Sequence, residues 1–211
     1  MKTFRRYYLD NMLSNIQFRG KVLDIGGHKE KKRGEFRPRI EEVDSWTYLN
    51  IALNSSPDLI ASADNIPIKN SIYDYIICTE VIEHLLNPEK TLQEIFRVLK
   101  NNASLILSVP FMFQLHSEPV DFQRWTKYKL ENELMKNGFA NIKIIAMGSY
   151  FAVLYDVINS FLHLSNSRDR KIIRKIFNYF FKIFLWLDKK NNYSKITTGY
   201  FVIANKNLQN Q

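Results

Sequence analysis

The side chains best suited to chemistry follow an apolar run that ends at Pro110. They are His116, Asp121 and Arg124. A histidine can take a proton as a general base, and a carboxylate can hold its ring in the required orientation. We therefore assign His116 as the candidate base, Asp121 as the group that orients it, and Arg124 as a third catalytic candidate. The alternative is a structural ion pair between Asp121 and Arg124, with His116 exposed to solvent.

A second group of candidate residues follows an apolar run at residues 21–25. This run is typical of a buried strand, and it leads directly into Gly26 and Gly27. Two adjacent glycines let the backbone turn sharply and approach a ligand closely, because neither has a Cβ. In open α/β sheets, ligands bind at the carboxyl ends of the strands. A plain turn is the alternative, and the order of the elements downstream favours the ligand site.

An alternating series of strands and helices has to position these residues. Strands are predicted at residues 21–25, 46–51, 58–62, 73–78, 103–109, 141–147 and 198–205. Helices are predicted over 3–18 from the apolar spacing, over 88–100 after Pro88, and over 127–137 between a Thr126 cap and Gly138. This alternation, with almost continuously apolar strands, indicates an α/β fold with a parallel sheet covered on both faces.

The composition indicates one globular unit in a reducing compartment. With 211 residues, 45% hydrophobic and 24% charged, the chain is long enough for one full core. Its single cysteine, Cys78, allows no disulfide within the chain. No cysteine or histidine spacing suggests a metal site, and no secretory signal is visible at the N-terminus. We therefore expect a cytoplasmic protein without a metal.

The net charge of +9 is concentrated near the two ends of the chain. Residues 1–39 contain 11 basic and 4 acidic groups, residues 40–164 contain 9 and 15, and residues 165–190 contain 8 and 2. The predicted body is therefore acidic. This distribution favours contact between one edge of the protein and an anionic surface over a nucleic-acid partner.

Several short motifs occur together in a fixed order. They are Val22-Leu-Asp-Ile-Gly-Gly27, Ala63-Asp-Asn-Ile-Pro67, Glu80-Val-Ile-Glu-His84, Phe96-Arg-Val-Leu-Lys100 and Gly138-Phe139. In this order they resemble the motifs of class I S-adenosylmethionine-dependent methyltransferases of the type 11 group. The resemblance covers residues 20–147 and the last strand. It implies a Rossmann-like fold with a mostly parallel seven-stranded sheet, helices on both faces, an antiparallel last strand, and S-adenosylmethionine as the cofactor.

The resemblance also implies where the cofactor binds. The glycine turn would lie against its methionine part, with Asp24 accepting a hydrogen bond from the amino group. Asp64 would accept from the adenine amine, and a backbone N–H of Asn65 or Ile66 would donate to the adenine ring. The remaining cofactor residues implied by the resemblance end the second strand or follow the fourth, and they are Asn50, Thr79 and Glu80.

Two positions depart from the family pattern. His28 and Lys29 follow the glycine turn where further glycines are usual, and Asn50 stands where the second strand usually ends in an acid. An asparagine offers the ribose an acceptor and a donor, but a neutral hydrogen bond is about half as strong as a charge-assisted one. The departures support a second hypothesis, a catalytically decayed binding or scaffold protein with this fold.

Residues 150–195 do not fit the alternation of strands and helices. We predict that they form a helical insertion between the last two strands, that residues 20–149 and 196–206 form the core, and that residues 1–19 form an N-terminal helix. Within the insertion, residues 171–189 predict a basic, aromatic-rich amphipathic helix. Its cations fall on one stripe, formed by Lys171, Arg174, Lys175, Lys182 and Lys189. Such a helix either contacts an anionic membrane surface or packs on the body or on a second subunit.

The function indicated is methyl transfer from S-adenosylmethionine to a small or lipid-linked acceptor, with a surface-glycan precursor as one candidate. The basic helix leads us to expect peripheral contact with the inner face of the membrane. An RNA methyltransferase is a further alternative because of the basic ends. A nicotinamide-dependent dehydrogenase is disfavoured, since Gly-x-Gly-x-x-Gly is absent after the first strand. The sequence does not indicate an oligomeric state.

Overall fold

The computed structural model describes residues 3–30, 34–115, 120–163, 168–191 and 195–207, with the backbone alone at residues 168–171 and 174. The strands are β1 (Lys21–Ile25), β2 (Ser45–Asn50), β3 (Leu59–Ile60), β4 (Tyr73–Thr79), β5 (Leu99–Pro110), β6 (Phe139–Ala146) and β7 (Gly199–Lys206). The helices are α1 (Phe4–Ser14), α2 (Pro88–Val98), α3 (Lys127–Lys136), α4 (Tyr150–His163), α5 (Arg168–Tyr179) and α6 (Phe181–Lys190).

The seven strands form one sheet in the order β3-β2-β1-β4-β5-β7-β6. Strands β1 to β5 run parallel to one another, whereas β7 is antiparallel to both of its neighbours, β5 and β6. The predicted α/β class, the mostly parallel seven-stranded sheet and the antiparallel last strand are therefore confirmed.

Helices cover both faces of the sheet because successive strand residues point to opposite sides. On one face, α2 and α3 pack against Leu23 and Ile76 in the larger core cluster. On the other face, α1 packs against Val22 and Ile77, the direct neighbours of those two residues in the sequence. The nearly continuous apolar runs of β1 and β4 therefore supply both halves of the core.

The ends of α2 and α3 follow local signals in the sequence. The Thr126 hydroxyl accepts a hydrogen bond from the Lys129 N–H at the start of α3, and Gly138 follows that helix with a φ of +85°. Pro88 occupies the first turn of α2, where its missing N–H has no helical partner to lose. The predicted bounds of both helices are correct to within two residues.

The predicted extents of three elements are wrong. Helix α1 ends at Ser14 rather than at residue 18. Strand β5 begins at Leu99, directly after α2, rather than at residue 103. Leu99 pairs with Tyr73 before a bulge that includes Asn102, whose φ is +61°, so the asparagines interrupt the ladder without ending the strand. The single helix predicted over residues 171–189 is two helices, because α5 ends before Phe180 and α6 begins after it.

Helices α4, α5 and α6 occupy the chain between β6 and β7, and two buried carboxylates connect them to α1. Asp156 of α4 accepts hydrogen bonds from the N–H groups of Phe4 at 2.7 Å and Arg5 at 3.2 Å. Asp188 of α6 accepts from the Tyr8 hydroxyl at 2.6 Å.

The division of the chain into a core and an insertion stays a prediction. Among the residues described, no helix is both long enough and apolar enough to cross a membrane.

Candidate functional site

The carboxyl edge of the parallel strands holds the candidate cofactor site. The strand order runs outwards in opposite directions from β1 and β4, and ligands of open α/β sheets bind in the crevice at such a reversal. Gly26 follows β1, and Glu80 follows β4. The two strand ends lie close together, since the Val81 Cγ2 atom is 2.4 Å from the position that a Cβ on Gly26 would take.

The glycine turn, Gly26–Gly27, has no room for side chains. Gly26 has a φ of +77°, and its N–H donates to the Leu49 carbonyl of β2 at 2.8 Å. A Cβ on Gly27 would lie 2.4 Å from the Asp24 Cγ atom. The Asp24 carboxyl group therefore lies directly against the backbone of the turn, where the methionine part of a cofactor is predicted to bind.

Asn50 is bonded to this glycine turn. Its Nδ2 donates to the Gly27 carbonyl at 3.2 Å, and its Oδ1 accepts from the Ala52 N–H at 3.0 Å. An aspartate has no N–H on its side chain, so it would not make the first of these bonds. The asparagine that replaces the usual acid therefore has a structural role, because it holds the glycine turn to the end of β2.

The segment predicted to bind adenine follows β3. Asp64 is half-buried, whereas the Ile66 side chain is 2% exposed and belongs to the core. The Asn65 N–H donates to a carbonyl three residues earlier at 3.1 Å, and the Ile66 N–H donates to Glu94 at 2.8 Å. Both N–H groups therefore already have acceptors within the chain, and an ion pair with Arg97 holds Glu94 in place. The contacts of Asn65 and Ile66 with adenine stay predictions.

Thr79 and Glu80 lie at the end of β4. Glu80 has a φ of +57°, a left-handed conformation that costs a non-glycine residue about 1–3 kcal/mol. Its carboxylate accepts a hydrogen bond from the Ser108 hydroxyl at 2.9 Å and forms an ion pair with Arg5 of α1. Thr79 lies beside Ser108 in the ladder between β4 and β5. The contacts of Thr79 and Glu80 with a cofactor stay predictions.

Arg5 brings the N-terminal helix into the site. Its side chain is 13% exposed, and its guanidinium carbon lies 4.0 Å from the centre of the Phe113 ring. Burial lowers the pKa of Arg5 to about 10, although the carboxylates of Glu83 and Asp156 favour its charged form. Burial also raises the pKa of Glu83. The carboxyl edge therefore combines the glycine turn with a buried cluster of charged side chains.

The catalytic candidates Asp121 and Arg124 form an ion pair. The two terminal nitrogens of Arg124 donate to the two carboxylate oxygens of Asp121, and one of them also lies 3.3 Å from the Gln114 carbonyl. The ion pair that was the alternative to a catalytic role is therefore present. His116 lies outside the described residues, so its role as a base oriented by Asp121 stays a prediction.

The segment that carries this ion pair is bonded to the turn after β4. Its bonds join His84 Nδ1 to the Val120 carbonyl at 2.7 Å, the Phe122 N–H to the Glu83 carbonyl at 2.8 Å, and Gln123 Nε2 to the carbonyls of Ile82 and Leu85. Residues 120–125 and 82–85 therefore form one wall beside the site.

In the described ranges, no group of three or more His, Cys, Asp or Glu residues is arranged to hold a metal ion.

A family comparison decides the class of the chain. The model of a family described as a methyltransferase domain matches residues 3–141, about two thirds of the chain. The chain belongs to this methyltransferase-domain family. The predicted membership of the class I methyltransferases and the prediction of a methyltransferase are confirmed.

Solved structures share the fold of this methyltransferase-domain chain at low identity. The phosphoethanolamine N-methyltransferase 2 of Haemonchus contortus, in complex with phosphomonomethylethanolamine and S-adenosylhomocysteine, is 12% identical with a TM-score of 0.57 over 96% of this chain, which spans 52% of that one. A chain from the complex of the Haloferax volcanii Trm112 methyltransferase activator with a putative methyltransferase is 15% identical with a TM-score of 0.58, and the match covers 98% of this chain and 92% of that one. A SAM-dependent methyltransferase of Archaeoglobus fulgidus is 14% identical with a TM-score of 0.57, and the match covers 95% of this chain and 92% of that one. A comparison with curated protein sequences found no match.

Sequence reasoning missed three residues in or next to the candidate site, namely Arg5, Ser108 and Asp156. Ser108 lies inside the apolar run of β5, and Asp156 interrupts the apolar run of α4. Both positions had a signal, since a polar side chain in such a run needs a partner when it is buried. Arg5 had no signal in the sequence, because the α1 sequence does not show which of its two adjacent arginines reaches the end of β4.

The buried Asp156 gives this methyltransferase fold a testable pH dependence. Burial raises the pKa of Asp156 to about 7, despite the N–H groups that donate to it. An aspartate in an unfolded chain has a pKa of about 3.9. Between about pH 4 and pH 7 the folded chain therefore holds a proton that the unfolded chain releases, so this group lowers the free energy of unfolding as the pH rises. Asp156→Asn, which keeps an acceptor for the Phe4 N–H, should remove that contribution.

Urea denaturation between about pH 4.5 and 8 measures the effect. The free energy of unfolding of the wild type minus that of Asp156→Asn should decrease as the pH rises. Asp74→Asn is the control: burial raises the Asp74 pKa, but hydrogen bonds from Lys100 and from the Lys21 N–H lower it overall, so its contribution changes only below about pH 4. A constant difference between the wild type and Asp156→Asn would contradict the raised pKa of Asp156.

Proposed function

We propose that this protein transfers the methyl group of S-adenosylmethionine to a small or lipid-linked acceptor. The observation that carries the proposal is the glycine turn, which leaves no space for a Cβ and lies beside the Asp24 carboxyl group at the reversal of the strand order. Such a turn lets the backbone approach the methionine part of the cofactor and gives its amino group an acceptor. The Haemonchus structure, which contains S-adenosylhomocysteine, supports this choice of cofactor.

Two further residues supply the remaining cofactor contacts. The Asn50 amide keeps one lone pair on Oδ1 and one N–H on Nδ2 beyond its bonds to Ala52 and Gly27, and these suit the two ribose hydroxyls. Half-buried Asp64 supplies an acceptor for the adenine amine. The N–H group of Asn65 or Ile66 remains the proposed donor to the adenine ring, and it would exchange or share its present acceptor when adenine binds.

Methyl transfer is a displacement at carbon. A lone pair of the acceptor forms the new bond to the methyl carbon, the carbon–sulfur bond breaks, and the sulfur leaves as a neutral thioether. Holding the two reactants in line supplies most of the rate enhancement. A hydroxyl acceptor also loses a proton, and His116 is the candidate base for that proton, with Asp121 as its orienting group. Arg124 positions this segment through its ion pair with Asp121.

The acceptor is proposed from the surroundings of the site. Phosphomonomethylethanolamine, which the Haemonchus enzyme contains, supports a small molecule as the acceptor. A lipid-linked precursor of a surface glycan is the narrower candidate, and the cytoplasm is the proposed location. RNA is a weaker candidate, because the central 40–164 segment that supplies most of the site contains 15 acidic and 9 basic residues.

A second candidate function is a non-catalytic binding protein with the same fold. Two observations favour it. The Glu80 carboxylate is already paired with Arg5, and the N–H groups of Asn65 and Ile66 already donate within the chain. This candidate differs from the first in a simple way, since it predicts no affinity for S-adenosylmethionine.

Calorimetric titration with S-adenosylmethionine and S-adenosylhomocysteine tests the proposal. We expect both to bind, and we expect Asp64→Ala to weaken the binding about 10- to 100-fold, since a hydrogen bond to a charged group contributes about 1.5–3 kcal/mol. Asp44→Ala removes an exposed acid at the opposite edge of the sheet and should change the affinity less than about twofold. If neither ligand binds at millimolar concentration, the proposal of methyl transfer from S-adenosylmethionine fails and the non-catalytic binding protein remains.

A further inference from the structure

Helices α4, α5 and α6 expose a set of apolar side chains, which we call the outer face. On α5 and α6 the set consists of Ile172, Ile173, Ile176 and Tyr179, exposed at 51–84%, with Ile183 and Trp186 at 52% and 55%. On α4 it consists of Tyr150, Leu154, Val157 and Phe161, exposed at 38–58%. The α4 residues are three or four positions apart, so they form one outward stripe.

The inner sides of the same helices are already filled. Tyr155 of α4 stacks on Phe177 of α5 with ring centres 4.7 Å apart, and it contacts Phe181 and Phe184 of α6 at 5.4 and 5.5 Å. Phe4 of α1 lies 5.0 Å from the Tyr155 ring and completes the cluster. Packing on the protein body therefore accounts for these aromatic rings, but it does not account for the exposed isoleucines.

Positive charge accompanies the outer face. Residues 165–190 contain 8 basic and 2 acidic residues. One of the acids, Asp188, is 3% exposed and bonded to Tyr8, so it does not offset the charge at the surface. Lys175, Lys182 and Lys189 are exposed. Lys190 lies 4.0 Å from the centre of the Trp186 ring, which makes a cation and an exposed aromatic ring direct neighbours.

From this combination we propose that α4, α5 and α6 dock on an anionic lipid bilayer through the outer face. Interfacial helices place apolar side chains at the headgroup boundary, and their lysines contact anionic headgroups. A second copy of the chain fits less well, because two strongly basic segments would face each other. A nucleic acid also fits less well, because its phosphates pair with lysines but leave the isoleucines without an apolar partner. Docking does not depend on methyl transfer, so the two proposals fail separately.

Sedimentation with lipid vesicles tests the docking. We expect the full chain to bind vesicles of phosphatidylglycerol mixed with phosphatidylcholine, to bind vesicles of phosphatidylcholine alone at least about tenfold more weakly, and to lose affinity as salt is added. Tryptophan fluorescence gives a second readout. Of the three tryptophans, Trp186 is exposed, Trp46 is half-buried in β2 and Trp125 is 4% exposed. Anionic vesicles should therefore shift the emission to shorter wavelength through Trp186, and Trp186→Phe should abolish the shift.

Surface variants separate docking from effects on the fold. Ile173→Ser/Ile176→Ser should weaken vesicle binding about tenfold or more, and Lys175→Gln/Lys182→Gln should weaken it about 10- to 30-fold. Tyr128→Ser/Met135→Ser is the matched control, because it removes side chains of α3 that are 80% and 63% exposed, and it should bind as the wild type does. Equal binding to neutral and anionic vesicles, or no effect of either variant, would overturn the proposal. Dimerisation of the chain through the outer face, without binding to vesicles, would also overturn the proposal.

Discussion

Gly26→Ala is expected to reduce the affinity for S-adenosylhomocysteine by about 10- to 100-fold. The new Cβ would meet Val81 Cγ2 at 2.4 Å, and the backbone at this position has a φ of +77°, where an alanine is strained. Either the turn or Val81 has to move, and loss of one hydrogen bond to the charged part of the ligand, about 1.5–3 kcal/mol, is enough for a loss of this size. Calorimetric titration measures the affinity, and thermal unfolding shows how much stability is lost with it.

Gly138→Ala is the matched control for this loss. Gly138 also has a positive φ, +85°, and a Cβ there would lie 2.9 Å from the Phe96 ring. It lies between α3 and β6, at the edge of the sheet opposite the glycine turn. Both variants should therefore lose stability, but only Gly26→Ala should lose affinity. If the two variants lose affinity equally, the effect is one of folding and the glycine turn is not the cofactor site.

Arg5→Met is expected to lower the free energy of unfolding by about 3–5 kcal/mol. Removing one partner from a largely buried ion pair leaves the other charge mostly shielded from water and without a counter-charge. The side chains of Arg5 and Glu80 are 13% and 17% exposed, and the strained backbone of Glu80 limits its escape to solvent. A methionine can still pack on the Phe113 ring, so the change isolates the charge. Urea denaturation near neutral pH measures the difference.

Two further variants show whether the ion pair causes this loss. Arg39→Met breaks the Arg39–Glu42 pair, whose side chains are 75% and 53% exposed, and it should change the free energy of unfolding by less than about 0.5 kcal/mol. Arg5→Met/Glu80→Gln removes the stranded charge and should recover part of the stability. Equal small losses at both arginines, or no recovery in the double variant, would contradict a buried pair.

The elements that carry local signals were predictable from the sequence. The run that ends in Asp24 and two glycines predicted β1 and the turn after it, and the structure shows why both glycines are required. Thr126 and Gly138 predicted the two ends of α3. These features depend on backbone conformation and on hydrogen bonds between residues close in sequence, so they are visible without the rest of the chain.

Features that depend on distant contacts were not predictable. The break at Phe180 accompanies contacts of Phe177 and Phe181 with Tyr155 on another helix. The hydrogen bond from the Ile66 N–H to Glu94 of α2 joins two elements that are distant in the sequence. The pair between Arg5 and Glu80 joins residues 75 positions apart, and its formation depends on how α1 crosses the sheet. Sequence patterns describe one element at a time, whereas these contacts require the arrangement of several.

The position of β7 has a consequence for how the chain is made. The last strand in the sequence is an inner strand of the sheet, and β6 reaches the sheet only by pairing with β7. During synthesis, β6 therefore stays unpaired until α4, α5, α6 and then residues 199–206 have left the ribosome. A chain that stopped before Gly199 would lack the edge of the sheet as well as its final strand.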